Sequence, residues 1–225
     1  TFPDDYVPAY VLQNLYLTLL LPMATAKPFV MGIGGGSGSG KSTIVKEILK
    51  QLGTEKVSVI QYDSYYKNRP ELSFEERTKI NFDHPDSLEI NLLVEHLNLL
   101  ISGKNVEIPV FHHFTKYLRD SSTKKVESRP ILIVEGILVL NDKELRDLMN
   151  LKVFIDVPPD LRFIRRLKRD LSEHGRSVES VTKQYLATIR TMHEEYVEPS
   201  KIYADVVIPE SWSKREAVNL LVSHL

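Results

Sequence analysis

The chain has 225 residues, 42% hydrophobic and 26% charged, an ordinary globular mix with enough apolar content for one sizeable core. Lys+Arg 29 against Asp+Glu 30 leaves a formal net charge of -1, so no global field draws the chain to nucleic acid or an anionic membrane, and any phosphate site must be locally basic. Cysteine is absent, which excludes disulfides, cysteine-ligated zinc and a thiol nucleophile and fits a cytoplasmic setting.

From Tyr6 to Ala26 no residue is charged, and "YVLQNLYLTLLL" is apolar. A membrane span needs ~18 or more apolar residues; Pro8, Gln13, Asn14 and Pro22 interrupt this one, so no membrane association is expected. Ala24–Ala26 has the form of a signal cleavage site, but Asp4 and Asp5 stand where a signal wants positive charge. Residues 1–26 are read as an extension outside the functional domain, a helix packed on its surface, with Met23 as a candidate start. Residues 27–225 are read as the domain itself.

"PFVMGIGGG" is a short apolar run feeding glycines, and "STIVKEILKQLG" follows with helical spacing and a stopping Gly53. "VSVIQYD" reads as a second strand, closed by Asp63. "SLEINLLVEHLNLLISG" reads as a long helix, and residues 64–129 around it are irregular and rich in Tyr, His, Asn and Pro, where an acceptor site is expected. "ILIVEGILVL" is a continuous apolar run and reads as a buried parallel strand. "LKVFIDV" is another strand, then come two helices, a strand "ADVVIP" and a closing helix. Strands alternating with helices predict an α/β fold, a parallel sheet covered on both faces.

Gly35-x-x-x-x-Gly40-Lys41-Ser42 matches the phosphate-binding loop G-x-x-x-x-G-K-[ST], after a strand and at the start of a helix. Gly35, Gly36, Ser37, Gly38, Ser39, Gly40, Lys41, Ser42 and Thr43 are the candidate nucleotide contacts. Backbone N–H groups and the helix N-terminus face phosphate oxygens; Lys41 reaches the β- and γ-phosphates, and the Ser42 hydroxyl suits Mg²⁺. A bare flexible Gly/Ser loop is the competing reading. Asp63, at a strand's C-terminal end, can take a proton from an attacking hydroxyl or cap a following helix. Glu135, alone inside an apolar run, is costly unless metal-bound or paired, so it holds Mg²⁺ through water or forms a buried salt bridge. Arg162, Arg165, Arg166 and Arg169 stand at helical offsets that share one face, with Ile164, Leu167 and Leu171 opposite. The apolar face is expected to pack and the basic one to be a solvated surface, an RNA contact or a clamp on triphosphate. His112–His113 has no metal-ligand spacing.

Taken together, the motifs resemble the uridine–cytidine kinase family of P-loop kinases over roughly Pro28 to Pro209: "GGSGSGKS", "YDSYYK", "NFDHPDS", "ILIVEGILVL", "RRLKRDLSEHGRS" and "EPSKIYADVVIP". The resemblance implies a P-loop NTPase fold with an acceptor-binding insertion (64–129) and a helical lid (160–185). It implies phosphoryl transfer from ATP or GTP, with Mg²⁺, to the 5′-hydroxyl of uridine or cytidine, in an often tetrameric, cytoplasmic enzyme that binds no nucleic acid. By that resemblance Asp63 is base or orienter and Asp83 holds the ribose hydroxyls. Arg166, Arg169 and Arg176 fall on phosphate and lid arginines, Gln184 lies near the sugar, and Tyr66 joins the acceptor contacts. The chain departs from the pattern in the acceptor loop "PVFHHFTKYLR": Phe111 stands for Tyr, one residue is extra, and Tyr117 stands where His is expected. A Tyr117 oxygen that accepts a hydrogen bond favours cytosine over uracil. His174 replaces an Arg, and "ESWSKRE" replaces a Gly-rich turn. The rivals are a sister kinase of another hydroxyl acceptor, phosphoribulokinase-like or pantothenate kinase-like, and a non-catalytic nucleotide-binding regulator. The intact Lys41 and Asp63 and the absence of an N-K-x-D guanine motif speak against the last.

Overall fold

The computed structural model describes residues 27–113 and 115–225; the reading of residues 1–26 lies outside them. In chain order the elements are β1 (Phe29–Gly34), α1 (Lys41–Leu52), β2 (Val57–Gln61), α2 (Phe74–Thr78), α3 (Ile90–Ile101), β3 (Val106–His112), β4 (Leu118–Val126), β5 (Ile131–Glu135), α4 (Lys143–Asp147), β6 (Leu151–Asp156), α5 (Pro159–His174), α6 (Val178–Gln184), α7 (Arg190–Met192), β7 (Val206–Pro209) and α8 (Lys214–Val222).

Five strands form one parallel sheet in the order β2–β5–β1–β6–β7. Alternation along β1 sends neighbouring side chains to opposite faces. Val30 joins Ile60, Leu132 and Val134 under Leu93, Leu97 and Leu100 of α3. Met31 and Ile33 join Ile133, Val153 and Ile155 under Ile44, Val45 and Ile48 of α1 and Val218 and Leu221 of α8. Both faces are thus dry, which explains the near-continuous apolar strands. Each fully buried Leu or Ile here contributes about 1.5–3 kcal/mol. All five strands run the same way, so Gly34, Gln61, Glu135, Asp156 and Pro209 end at one edge, and α1 starts there.

Four expectations need correction. β2 stops at Gln61, and Asp63 sits in a tight 3-10 turn (Tyr62–Tyr65) whose cap position is Gln61, so Asp63 neither closes the strand nor caps a helix. The run after Glu135 leaves the sheet: Gly136 N–H still donates to Ile33 O, then Asn141 N–H closes a turn on Leu138 O. Leu138, Val139 and Leu140 are apolar because they pack into the core, not because they are extended. Residues 64–129 are not merely irregular: β3 and β4 form an antiparallel hairpin, with a register shift between Pro109 and Phe111. Its outer strand is exposed and polar, which hid its period of two. The helix read over 178–197 is continuous but underwound at Tyr185–Ile189 and His193–Val197, where the turns are π-helical.

Candidate active site

The phosphate loop, residues 35–40, joins β1 to α1. Gly38 has φ +81, and a Cβ there would lie 2.3 Å from Arg162 O; one on Gly36 would lie 2.4 Å from the Arg162 guanidinium. Only glycine lets the loop sit directly on α5. Arg162 is 4% exposed and its Nε–H donates to Val157 O at 2.9 Å. It braces the loop from below instead of facing phosphate.

Lys41 is buried, and its ammonium donates to Gly35 O at 2.8 Å and Gly36 O at 3.0 Å. Burial pushes its pKa down to about 8, opposed by the charges of Glu135 and Asp63. Ser42 Oγ–H donates to Glu135 Oε2 at 2.9 Å. Burial raises the Glu135 pKa, while Lys41 and the Ser42 hydrogen bond oppose that. Glu135 thus has a hydroxyl of the type Mg²⁺ takes as its hydrogen-bond partner and lies in the field of the Lys41 ammonium. A hydroxyl and a carboxylate beside a triphosphate are what Mg²⁺ takes from protein, the rest coming from phosphate oxygens and water. The donor set fits. The Ser39 hydroxyl is buried with no hydrogen-bond partner.

Arg162 and Arg166 on the basic face of α5 turn inward onto the phosphate loop, and the apolar face that was expected to pack is partly exposed. Ile164 is 46% and Leu171 37% exposed, while Arg166 donates through one terminal nitrogen to Ser37 Oγ at 2.8 Å and through the other to Gln184 Oε1 at 3.2 Å. The physical reason is that α5 lies across the phosphate loop, so its inner face meets polar backbone and not core. Arg165 does face out and pairs with Glu210 at 2.9 Å. Behind the arginines sits Asp170, 0% exposed, which accepts from Arg169 at 2.8 Å and Arg176 at 3.2 Å and lies 3.5 Å from Arg166 Nε. Arg176 also donates to Gln184 Oε1 at 2.6 Å. The sequence reading missed Asp170 and the bracing role of Arg162; Asp170 at i+4 from Arg166 was the available signal.

Asp83 is drawn into the same field. Burial raises its pKa, and Arg166 and Lys41 oppose the rise. Tyr66 is held well above its ordinary value by burial, with Asp83 and Asp63 adding to that. Tyr66, Phe82, Phe111 and His113 form one aromatic group, with Tyr66–Phe111 centroids 5.4 Å apart and Phe111–His113 5.0 Å apart. Tyr117 stacks on Phe82 at 5.8 Å with planes 16° apart, from a left-handed φ of 51° at the hairpin tip. The paired histidines split: His112 Nε2 meets Asp120 Oδ2 at 2.7 Å, while His113 Nε2 lies 3.7 Å from Asp63 Oδ2. No cluster of three or more metal-ligating side chains occurs among the described residues.

So a phosphate loop, a set of carboxylates and a set of arginines meet at the C-terminal edge of a parallel sheet, where open α/β folds bind ligands. That fold and arrangement define a P-loop kinase. The model of the phosphoribulokinase/uridine kinase family matches residues 30–215, and the chain belongs to that family. It is 47% identical over 198 residues to a uridine kinase of Chloroflexus aurantiacus, covering 88% of this chain and 94% of that one. It is 46% identical over 195 residues to a uridine kinase of Streptococcus thermophilus, covering 87% and 92%. Among solved structures, phosphoribulokinase from Rhodobacter spheroides superposes with a TM-score of 0.61 at 17% identity, over 81% of this chain and 70% of that one, a likeness of fold alone. No helix among the described residues is long and apolar enough to cross a membrane.

Proposed function

We propose that this chain is a pyrimidine nucleoside kinase, moving the γ-phosphoryl group of ATP or GTP to the 5′-hydroxyl of uridine or cytidine. The observation that carries the reading is the meeting of Lys41, Asp63, Asp83, Glu135 and Arg166 around one phosphate loop. The uridine kinase names of relatives at 46% and 47% identity support the acceptor.

In this reading Asp63 accepts the proton of the 5′-hydroxyl as the new O–P bond forms and the bond to the β-phosphate oxygen breaks. Lys41 exchanges the Gly35 and Gly36 carbonyls for β- and γ-phosphate oxygens. Arg166 and Arg169 meet the charge that develops on the transferring group, and residues 160–185 act as a lid. Asp83, Gln184 and Arg176 hold the sugar side of the acceptor, and Tyr66, Phe111 and Tyr117 wall the base. Ser42 and Glu135 are the residues that would hold magnesium, which when bound would neutralise charge on the phosphate oxygens. The enzyme works in the cytoplasm as a homo-oligomer, with a tetramer expected from the family resemblance.

The test is an acceptor panel of uridine, cytidine, ribulose 5-phosphate and pantothenate with ATP and with GTP, product mass being the readout. A nucleoside 5′-monophosphate supports the reading. Phosphorylation of ribulose 5-phosphate or pantothenate alone moves the chain to a sister activity.

A further inference from the structure

The tip of the acceptor loop sets a histidine beside the carboxylate assigned to the proton transfer. His113 follows the last residue of β3 and lies in the turn at the hairpin tip. His112 leaves β3 on one side and locks the hairpin to Asp120. The Tyr117 N–H donates to His112 O at 2.8 Å and closes the tip. There His113 is held edge-on between Tyr66 and Phe111, with centroids 5.6 Å and 5.0 Å away. Its Nε2 lies 3.7 Å from Asp63 Oδ2. The two aromatic neighbours and the carboxylate together constrain where the ring sits.

We propose that His113 is a positioning residue for Asp63: its Nε2–H holds Oδ2, so that Oδ1 is presented to the acceptor hydroxyl. The inference rests on the nucleoside-kinase reading above and deepens it. Burial keeps the imidazole below its ordinary pKa against the pull of Asp63, with His112 and His174 adding to the lowering. A neutral ring carries one N–H, and a carboxylate facing Nε2 selects the tautomer that donates there. The 3.7 Å contact lies beyond hydrogen-bond length, and the proposed hydrogen bond requires the ring to turn toward Oδ2. No proton is passed to His113; it fixes which oxygen faces the substrate, and geometry of that kind governs the fraction of reactive encounters.

Steady-state kcat and KM for uridine at saturating ATP test it in the wild-type chain, His113→Ala, His113→Gln, Asp63→Asn and the double variant Asp63→Asn/His113→Ala, each checked for an intact thermal transition. His113→Ala is expected to lower kcat about tenfold with KM for uridine within twofold, the loss of one charge-assisted hydrogen bond. His113→Gln, which keeps an N–H near the same place, restores most of it. In the Asp63→Asn background His113→Ala is expected to cost nothing further. A wild-type kcat in His113→Ala beside an impaired Asp63→Asn sinks this inference alone. So does a loss carried in KM, or an equal loss in both backgrounds. A wild-type kcat in Asp63→Asn sinks the reading of Asp63 and this inference with it.

Discussion

Lys41 and Asp63 carry opposite halves of the proposed transfer, and single substitutions separate them. Lys41→Ala is expected to cut turnover by several powers of ten, because its charge meets phosphate oxygens as transfer proceeds. A near-normal kcat would overturn that role. Asn keeps the shape of Asp63 but cannot take up a proton; Asp63→Asn is expected to lower kcat by about 10²-fold with nucleotide affinity unchanged. Collapse of ATP binding instead would assign Asp63 to metal or fold. Tyr117 tests the base end. Stacked on Phe82, it brings a hydroxyl to a wall where Phe111 has none. With that oxygen accepting, cytidine is favoured over uridine by roughly 10- to 100-fold in kcat/KM, and Tyr117→His narrows the gap. An unchanged ratio removes Tyr117 from base recognition. The residues of the phosphate loop were legible because their chemistry is backbone chemistry: glycine spacing and one lysine suffice. His113 was not, because its place depends on which way a hairpin tip bulges, and adjacent histidines suggest only a metal question.

At the scale of elements, α5 shows where pattern reasoning fails. An amphipathic helix normally turns its apolar stripe inward. Here the inward neighbour is a phosphate loop, so Arg162 is buried and Ile164 is exposed. The sequence contained both faces but not the identity of what each one meets. Asp170 is the element's anchor, because three guanidinium groups converge on its carboxylate. Asp170→Asn leaves the arginines uncompensated in a buried setting and is expected to cost about 3 kcal/mol of stability, read by urea denaturation. A cost below 0.5 kcal/mol would show the arginines already neutralised by other groups. The presence and order of the sheet strands were legible, since β1, β5 and β6 are continuous apolar runs between two dry faces, but the end of β5 was not, because the apolar run continues into the core after the strand stops at Glu135. The β3–β4 hairpin was hidden, since an exposed polar strand beside a bulge has no clear alternation.

For the molecule as a whole, a pH dependence follows from His193 near the end of the long helical stretch. Burial, aided by the charge of Arg162 and opposed by Glu198, pushes its pKa down to about 4. Glu198 faces it at 3.3 Å, and Lys41 adds a weak lowering. The unfolded chain binds this proton near pH 6.5 and the folded chain only near 4, so the unfolded state holds more protons in between. The contribution is full above pH 6.5, shrinks as pH falls, and is gone below about 4. It is on the order of 2 kcal/mol for a buried pair of this kind. His193→Gln is expected to flatten the wild-type fall in Tm between pH 6.5 and 4; parallel Tm curves for the two proteins would refute it. The overall fold class followed from element order alone, but the closeness of His193 and Arg162 did not, as it joins segments brought together only by tertiary packing.

Arg162 beneath Gly36 and Gly38 also makes the phosphate loop and α5 one mechanical piece. A ligand that stills the loop must therefore still the helix, although more than a hundred residues of chain separate them. Amide hydrogen exchange exposes such a linkage directly. Addition of ATP should slow exchange along residues 159–174 as well as 35–43. The same ATP should slow it much less along 159–174 in Arg162→Lys, where the guanidinium plane under the glycines is gone.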